Sequence, residues 1–112
     1  MPFYLTLARA EFPDLLARAE KGDANVQNKV GEMLLFGDGV KQDFSAAMVW
    51  FQRSAAKGNA AAPNHIGRLY LNGEGVEKNV QEACKWYALA AERGDVTGGK
   101  ENAQMCATKL EK

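Results

Sequence analysis

The stretch Gly94-Asp95-Val96-Thr97-Gly98-Gly99-Lys100-Glu101 comes close to the pattern in which a glycine-rich turn cradles phosphates and a lysine reaches them. It fails on three counts. Glu101 stands where a magnesium-binding hydroxyl belongs, helical rather than strand spacing precedes it, and the segment falls at a joint that recurs along the chain. It therefore reads as a helix-helix turn. His65, the single histidine, falls on the outward side of its helix with no Ser or Cys nucleophile assigned beside it, so it reads as a solvated side chain. Cys84 and Cys106 are the only cysteines; they lack C-x-x-C spacing, and with one histidine they make no zinc cluster of usual form. They lie near the start of one helix and near the end of the next, where antiparallel packing brings them close. Two buried thiols are expected, with a disulfide as the alternative. No catalytic residue, metal ligand or cofactor site is assigned.

The elements that carry these residues follow from a repeat, the first thing to test for in any chain. Lys21-Gly22-Asp23-Ala24, Lys57-Gly58-Asn59-Ala60 and Arg93-Gly94-Asp95-Val96 recur at an offset of 36 residues. The same offset relates Val30-Gly31 to Ile66-Gly67, Gly37-Asp38-Gly39-Val40 to Gly73-Glu74-Gly75-Val76, and Trp50-Phe51 to Trp86-Tyr87. Within a unit the spacing is helical. At about 100° per residue, Val26, Val30, Met33 and Leu34 gather on one side of a helix A, from about Ala24 to Phe36, and Asn25, Asn28, Lys29 and Glu32 on the other. The Gly-x-Gly loops end the A helices, and their recurrence makes them structural rather than phosphate-binding. Asp43 and Asn79 are placed as N-caps of the B helices, predicted from about Phe44 to Lys57 and from Val80 to Arg93. Asp23, Asn59 and Asp95 can cap the A helices. Gly31 and Gly67 inside helix A, where glycine costs about 1 kcal/mol against alanine, predict close helix approach. Trp50, Trp86, Tyr87 and the alanines are expected in a core that neighbouring units must stack to cover. At the N-terminus Phe3 to Glu11 reads as helical, and Pro13 predicts that a new helix begins there.

Composition narrows the functions. The chain has 112 residues, 46% of them apolar, which suits one domain with a packed interior. Fourteen Lys plus Arg balance fourteen Asp plus Glu, so no net positive field gathers nucleic acid or anionic lipid. No apolar run approaches the roughly 20 residues that span a bilayer, and Met1-Pro2-Phe3-Tyr4 does not open a secretory signal. The expected location is cytoplasmic, or periplasmic if a signal has been removed.

The Gly-x-Gly-Val loop, the Trp-aromatic pair and the ending Ala90-Ala91-Glu92-Arg93-Gly94, varied as Ser54-Ala55-Ala56-Lys57-Gly58, resemble Sel-one-like repeats, relatives of tetratricopeptide repeats. The resemblance implies an all-α, right-handed α/α superhelical solenoid. It divides a single domain of residues 1–112 into an N-terminal cap 1–21, repeat one 22–57, repeat two 58–93 and a C-terminal capping helix 94–112. Three departures stand out. Pro63 falls in the first turns of the second A helix, Gly98-Gly99 and Asn102 weaken the last one, and the N-terminal segment has no clear place in the repeat.

Members of that family mostly act as adaptors, with the A helices lining a concave groove. By that resemblance Asn28, Glu32, Leu35 and Phe36 of the first unit, Asn64, Arg68, Leu71 and Asn72 of the second, and Lys100 and Gln104 of the third would face a protein or peptide partner. Leu35, Phe36 and Leu71 favour binding, because contiguous apolar groups on an outer face are costly to leave in water. The expected function is a non-enzymatic protein-protein interaction module, an adaptor or a dedicated inhibitor or immunity-type binder. Arg68 with Glu32 would supply charge selectivity, and Phe36 with Leu71 an apolar anchor. One alternative is a hydrolase-like, β-lactam-binding repeat protein, but such family members carry a cysteine pair in each repeat and this chain does not. Another is self-association as a homodimer through the solenoid ends.

Overall fold

The computed structural model describes the backbone of residues 2–96 and 98–110 and the side chains of residues 11–96, 98 and 100–106. It contains α1 (Pro2–Glu20), α2 (Ala24–Phe36), α3 (Phe44–Ala56), α4 (Ala62–Asn72), α5 (Val80–Glu92) and α6 (Gly99–Leu110), with no strand among the described residues. Each helix packs on the next along the chain, giving a body of 51 × 24 × 21 Å. This is an all-α, α/α solenoid. The A helices are α2, α4 and α6, and the B helices α3 and α5.

Local chemistry sets the helix ends close to where the repeat predicts them, except that α4 starts at Ala62 and α6 at Gly99, two and three residues late. Asp43 Oδ1 accepts from Ala46 N at 3.0 Å, and Asn79 Oδ1 from Glu82 N at 2.9 Å. Asp23 Oδ1 takes Asn25 N and Val26 N. Asn59 Oδ1 takes Ala61 N and Ala62 N, which lets Pro63 sit in the first turn of α4, where its missing N–H costs nothing. Gly37 and Gly73 adopt φ of 70° and 68° as they terminate α2 and α4.

Gly31 and Gly67 show why they are glycine. A Cβ on Gly31 would lie 2.6 Å from the Phe51 ring, and one on Gly67 2.7 Å from the Tyr87 ring. The bare backbone of α2 and of α4 is thus the seat of the aromatic ring of the B helix in the same unit. Phe51, Val30, Leu35, Ile66 and Leu69 fill the main core, and Phe12, Leu15 and Leu16 of α1 close it at one end. Trp50 is buried there with the Arg53 guanidinium 4.6 Å above its ring, whereas Trp86 is half-buried.

The α1 reading needs correction. One helix runs from Pro2 through Pro13 to Glu20, and no new helix starts at Pro13. Proline removes one backbone donor, and the burial of Phe12, Leu15, Leu16 and Ala19 against the core outweighs that loss.

Polar links stitch one unit to the next. Ser54 Oγ donates to Ala24 O at 2.7 Å, Asn59 Nδ2 to Asn25 Oδ1 at 3.0 Å, and Arg93 Nη1 to Ala55 O and Asn59 O at 2.8 and 3.0 Å. Cys84 of α5 and Cys106 of α6 form a disulfide, which corrects the expectation of two thiols. Their sulfurs meet because α5 and α6 run antiparallel, bringing the start of one beside the end of the other.

Candidate functional site

Helical spacing decides which side chains of the A helices look outward. Asn28, Glu32 and Phe36 stand four residues apart on α2 and form one stripe; Asn64, Arg68 and Asn72 repeat it on α4, and Lys100 and Gln104 on α6. Contacts between neighbouring A helices join these stripes. Glu32 Oε2 accepts from His65 Nε2 at 3.0 Å, the Arg68 guanidinium lies 5.5 Å over the Phe36 ring, and Asn102 Nδ2 donates to Asn64 Oδ1 at 2.9 Å. The result is a ladder of polar and cation-π rungs across α2, α4 and α6.

The electrostatics of the ladder follow from its geometry. The His65 hydrogen bond holds the Glu32 carboxyl below the usual range for glutamate, prevailing over partial burial, with the charges of His65 and Lys29 acting the same way. Arg68 Nε and Asn72 Nδ2 both donate to Glu74 Oε1, each at 3.3 Å. Burial pushes the Tyr87 phenol up, against an opposing pull from Arg68. Phe36 is 59% exposed beneath the guanidinium, and Lys100 and Gln104 are exposed at the far end.

Three expectations about this face are corrected. Leu35 is fully buried, not outward: α2 is flanked by both α1 and α3, so its apolar arc is wider than a single stripe and takes in Leu34 and Leu35 together. Leu71 is half-buried against the smaller cluster of Ala83, Cys84, Tyr87 and Cys106, so the apolar anchor is reduced to Phe36. His65 is not a solvated side chain. Its ring stacks on Phe51 with centroids 4.6 Å apart, and 13% of the side chain is exposed. Arg68 pairs with Glu74 of its own unit.

His65, Glu74 and Asn102 are the members that inspection of single helices misses. A signal for one of them existed. Folded back by 36 residues, His65 falls on the register of Lys29, one turn from Glu32, so acid and imidazole were in reach once adjacent units were superposed. No group of three or more His, Cys, Asp or Glu side chains able to hold a metal occurs among the described residues, and no described helix is long and apolar enough to cross a membrane.

The Sel1 repeat family model matches residues 24–59 and 60–95, two segments one 36-residue period apart. Among solved structures the chain is similar to a protective antigen of uropathogenic Escherichia coli with an SLR fold, at 31% identity and a TM-score of 0.85 over 90% of this chain and 22% of that one. It is also similar to a Sel1 repeat protein from Oxalobacter formigenes, at 33% identity and a TM-score of 0.73 over 79% of this chain and 36% of that one. The chain thus spans about a fifth to a third of the length of these two proteins. No curated protein sequence matches it. Sel1 repeats typically mediate protein-protein interaction on a scaffold that is generally non-enzymatic. With matched segments running unbroken from residue 24 to residue 95, well over half its length, the chain belongs to the Sel1 repeat family.

Proposed function

We propose that this chain is a non-enzymatic binding module that grips a short segment or a single helix of one protein partner on the outer face of α2, α4 and α6. The observation that carries the reading is Phe36, exposed on that face with the Arg68 guanidinium over its ring. A partner's apolar side chain seated on Phe36 would displace water from the ring, and the outer edge of Arg68 offers donors to a carboxylate or carbonyl beside it. Asn28, Asn72, Lys100 and Gln104 form the polar surround that fixes register. A face with one aromatic anchor suits a dedicated binder, of the adaptor or inhibitor type, more than a broad scaffold. As to compartment, the Cys84–Cys106 bond favours an oxidising one such as the periplasm over the cytoplasm, where thiols are kept reduced.

Affinity capture from the native cell, comparing wild type with Phe36→Ala/Arg68→Glu, tests the face. The expected result is loss of one or a few captured proteins by the double variant while its fold is kept. Identical capture by both forms would show that another surface does the binding.

A further inference from the structure

The two cysteines stand at a joint whose counterparts are apolar. Counting back 36 residues, Cys84 falls on Met48 and Cys106 on Tyr70; counting back 72, they fall on Phe12 and Leu34. Those four side chains all belong to the main core or pack against it. At the third joint a sulfur-sulfur bond thus stands in the place of apolar packing.

The packing that remains around the bond is thin. α4 sets Ala62, Ile66 and Leu69, all 0% exposed, into the main core. Of the described α6 side chains, Cys106 and Ala103 join the small cluster of Ala83, Cys84 and Tyr87. Asn102 takes the register of the fully buried Val30 and Ile66, and donates to Asn64 instead of filling a core. Met105 is 42% exposed, whereas Met33 and Leu69 in the same register are 5% and 0%. Two thiols are smaller than the Met and Tyr of the second joint and would restore little of that contact. The bond closes a loop of sequence separation 22, which in the chain-entropy model favours the docked α6 by a factor of about a hundred or more.

We propose that the Cys84–Cys106 bond is a reductant-operated latch on the width of the outer face. Oxidised, the face has three rows, α2, α4 and α6; reduced, α6 leaves α5 and two rows remain. A dithiol reductant attacks one sulfur and breaks the bond, and its own second thiol resolves the mixed disulfide. Two electrons and two protons pass to Cys84 and Cys106, which become thiols, while the reductant becomes a disulfide. The cysteines are 9% and 4% exposed, so the exchange is slow. Release of α6 takes Lys100, Gln104 and the Asn102–Asn64 rung from the face and leaves the Phe36–Arg68 pair of α2 and α4 in place. That this weakens partner binding rests on the function proposed above; the movement of α6 does not.

Hydrogen exchange of the isotope-labelled full chain, followed by NMR before and after dithiothreitol, tests the latch. Reduction is expected to speed exchange of the backbone amides of residues 102–106 about a hundredfold and to shift the Asn64 side-chain amide, with α2 and α3 little changed. Reoxidation should restore both. Asn102→Ile, which installs the residue of the second repeat, should hold α6 in the reduced chain and cut the effect to less than about tenfold. Three results overturn the latch: unchanged α6 exchange in a chain shown by mass to be reduced, equal loss of protection in every helix, or release of α6 from Asn102→Ile as complete as from wild type. Capture of partners by the oxidised and reduced chains is read separately. Unchanged capture with α6 released would strike the third row from the proposed binding face and leave the latch standing.

Discussion

Glu32 of the first unit accepts a hydrogen bond from His65 of the second, and that imidazole lies flat against Phe51 at the centre of the core. A surface carboxylate is thereby tied, through one ring, to the buried joint between two repeats. The folded-state pKa of Glu32 is lowered from its ordinary value of 4.5, so its contribution is fully present above that value and is lost as pH falls through the lower, folded one. Thermal unfolding followed from about pH 6 to about pH 3 should show wild type losing melting temperature more steeply than Glu32→Gln below about pH 4.5. Parallel curves would mean that the hydrogen bond contributes nothing to folding.

The seats at Gly31 and Gly67 make a second prediction. Alanine normally stabilises a helix by about 1 kcal/mol over glycine. Here the added methyl would meet the buried ring of Phe51 or Tyr87, so Gly31→Ala and Gly67→Ala should each destabilise by about 1–3 kcal/mol in urea titrations. Gly67→Ala should be the worse of the two, because its methyl also comes within 3.1 Å of the Ala83 carbonyl, which is backbone and yields less than a side chain. A gain in stability from either variant would contradict the packing described.

The Cys84–Cys106 bond sets a third. Asn102 stands on α6 where the other A helices carry the fully buried Val30 and Ile66, so α6 has little apolar surface to hold it against α5. The bond closes a loop of sequence separation 22, for which the chain-entropy model gives about 3 kcal/mol. Reduction, or Cys84→Ser with Cys106→Ser, should lower the melting temperature and deprotect α6 first in hydrogen exchange, with α2 and α3 affected least. Uniform loss of protection would show that α6 is held by packing along its whole length.

Leu35 and Phe36, adjacent in sequence, should separate stability from binding. Leu35→Ala opens a cavity in the core and should cost about 2–5 kcal/mol, whereas Phe36→Ala removes an exposed ring and should cost less than about 1 kcal/mol while abolishing capture of the partner. Denaturant titration of both variants beside the capture assay decides it.

The repeat offset makes the solenoid legible in the sequence itself. Caps at Asp43 and Asn79, aromatic pairs at 50–51 and 86–87 and internal glycines at 31 and 67 all report on contacts within a unit, and contacts of that kind leave a periodic trace. What escaped was contact between units. Leu35 looked outward because a single amphipathic stripe is the wrong measure for a helix covered on two sides, and His65 looked solvated because its partners Glu32 and Phe51 lie in the preceding unit. The local effect of Pro13 suggests a helix start, whereas the packing of α1 along its length decides that helix. The outward position of Phe36 is legible from helical spacing, whereas the rungs of the ladder depend on side chains that meet once α2, α4 and α6 stand in a row.

The stitching of Ser54 to Ala24, Asn59 to Asn25 and Arg93 to Ala55 has a consequence for how such a chain changes in size. Because each helix packs on its immediate neighbours along the chain, residues 58–93 form a cassette whose two flanks share one register. A tandem copy placed after Arg93 would meet on α5 a flank in the same register as the one its original meets on α3. Duplication of such a cassette lengthens the rod by one unit without new core design, so reach can be tuned by copy number while the chemistry of each face stays the same.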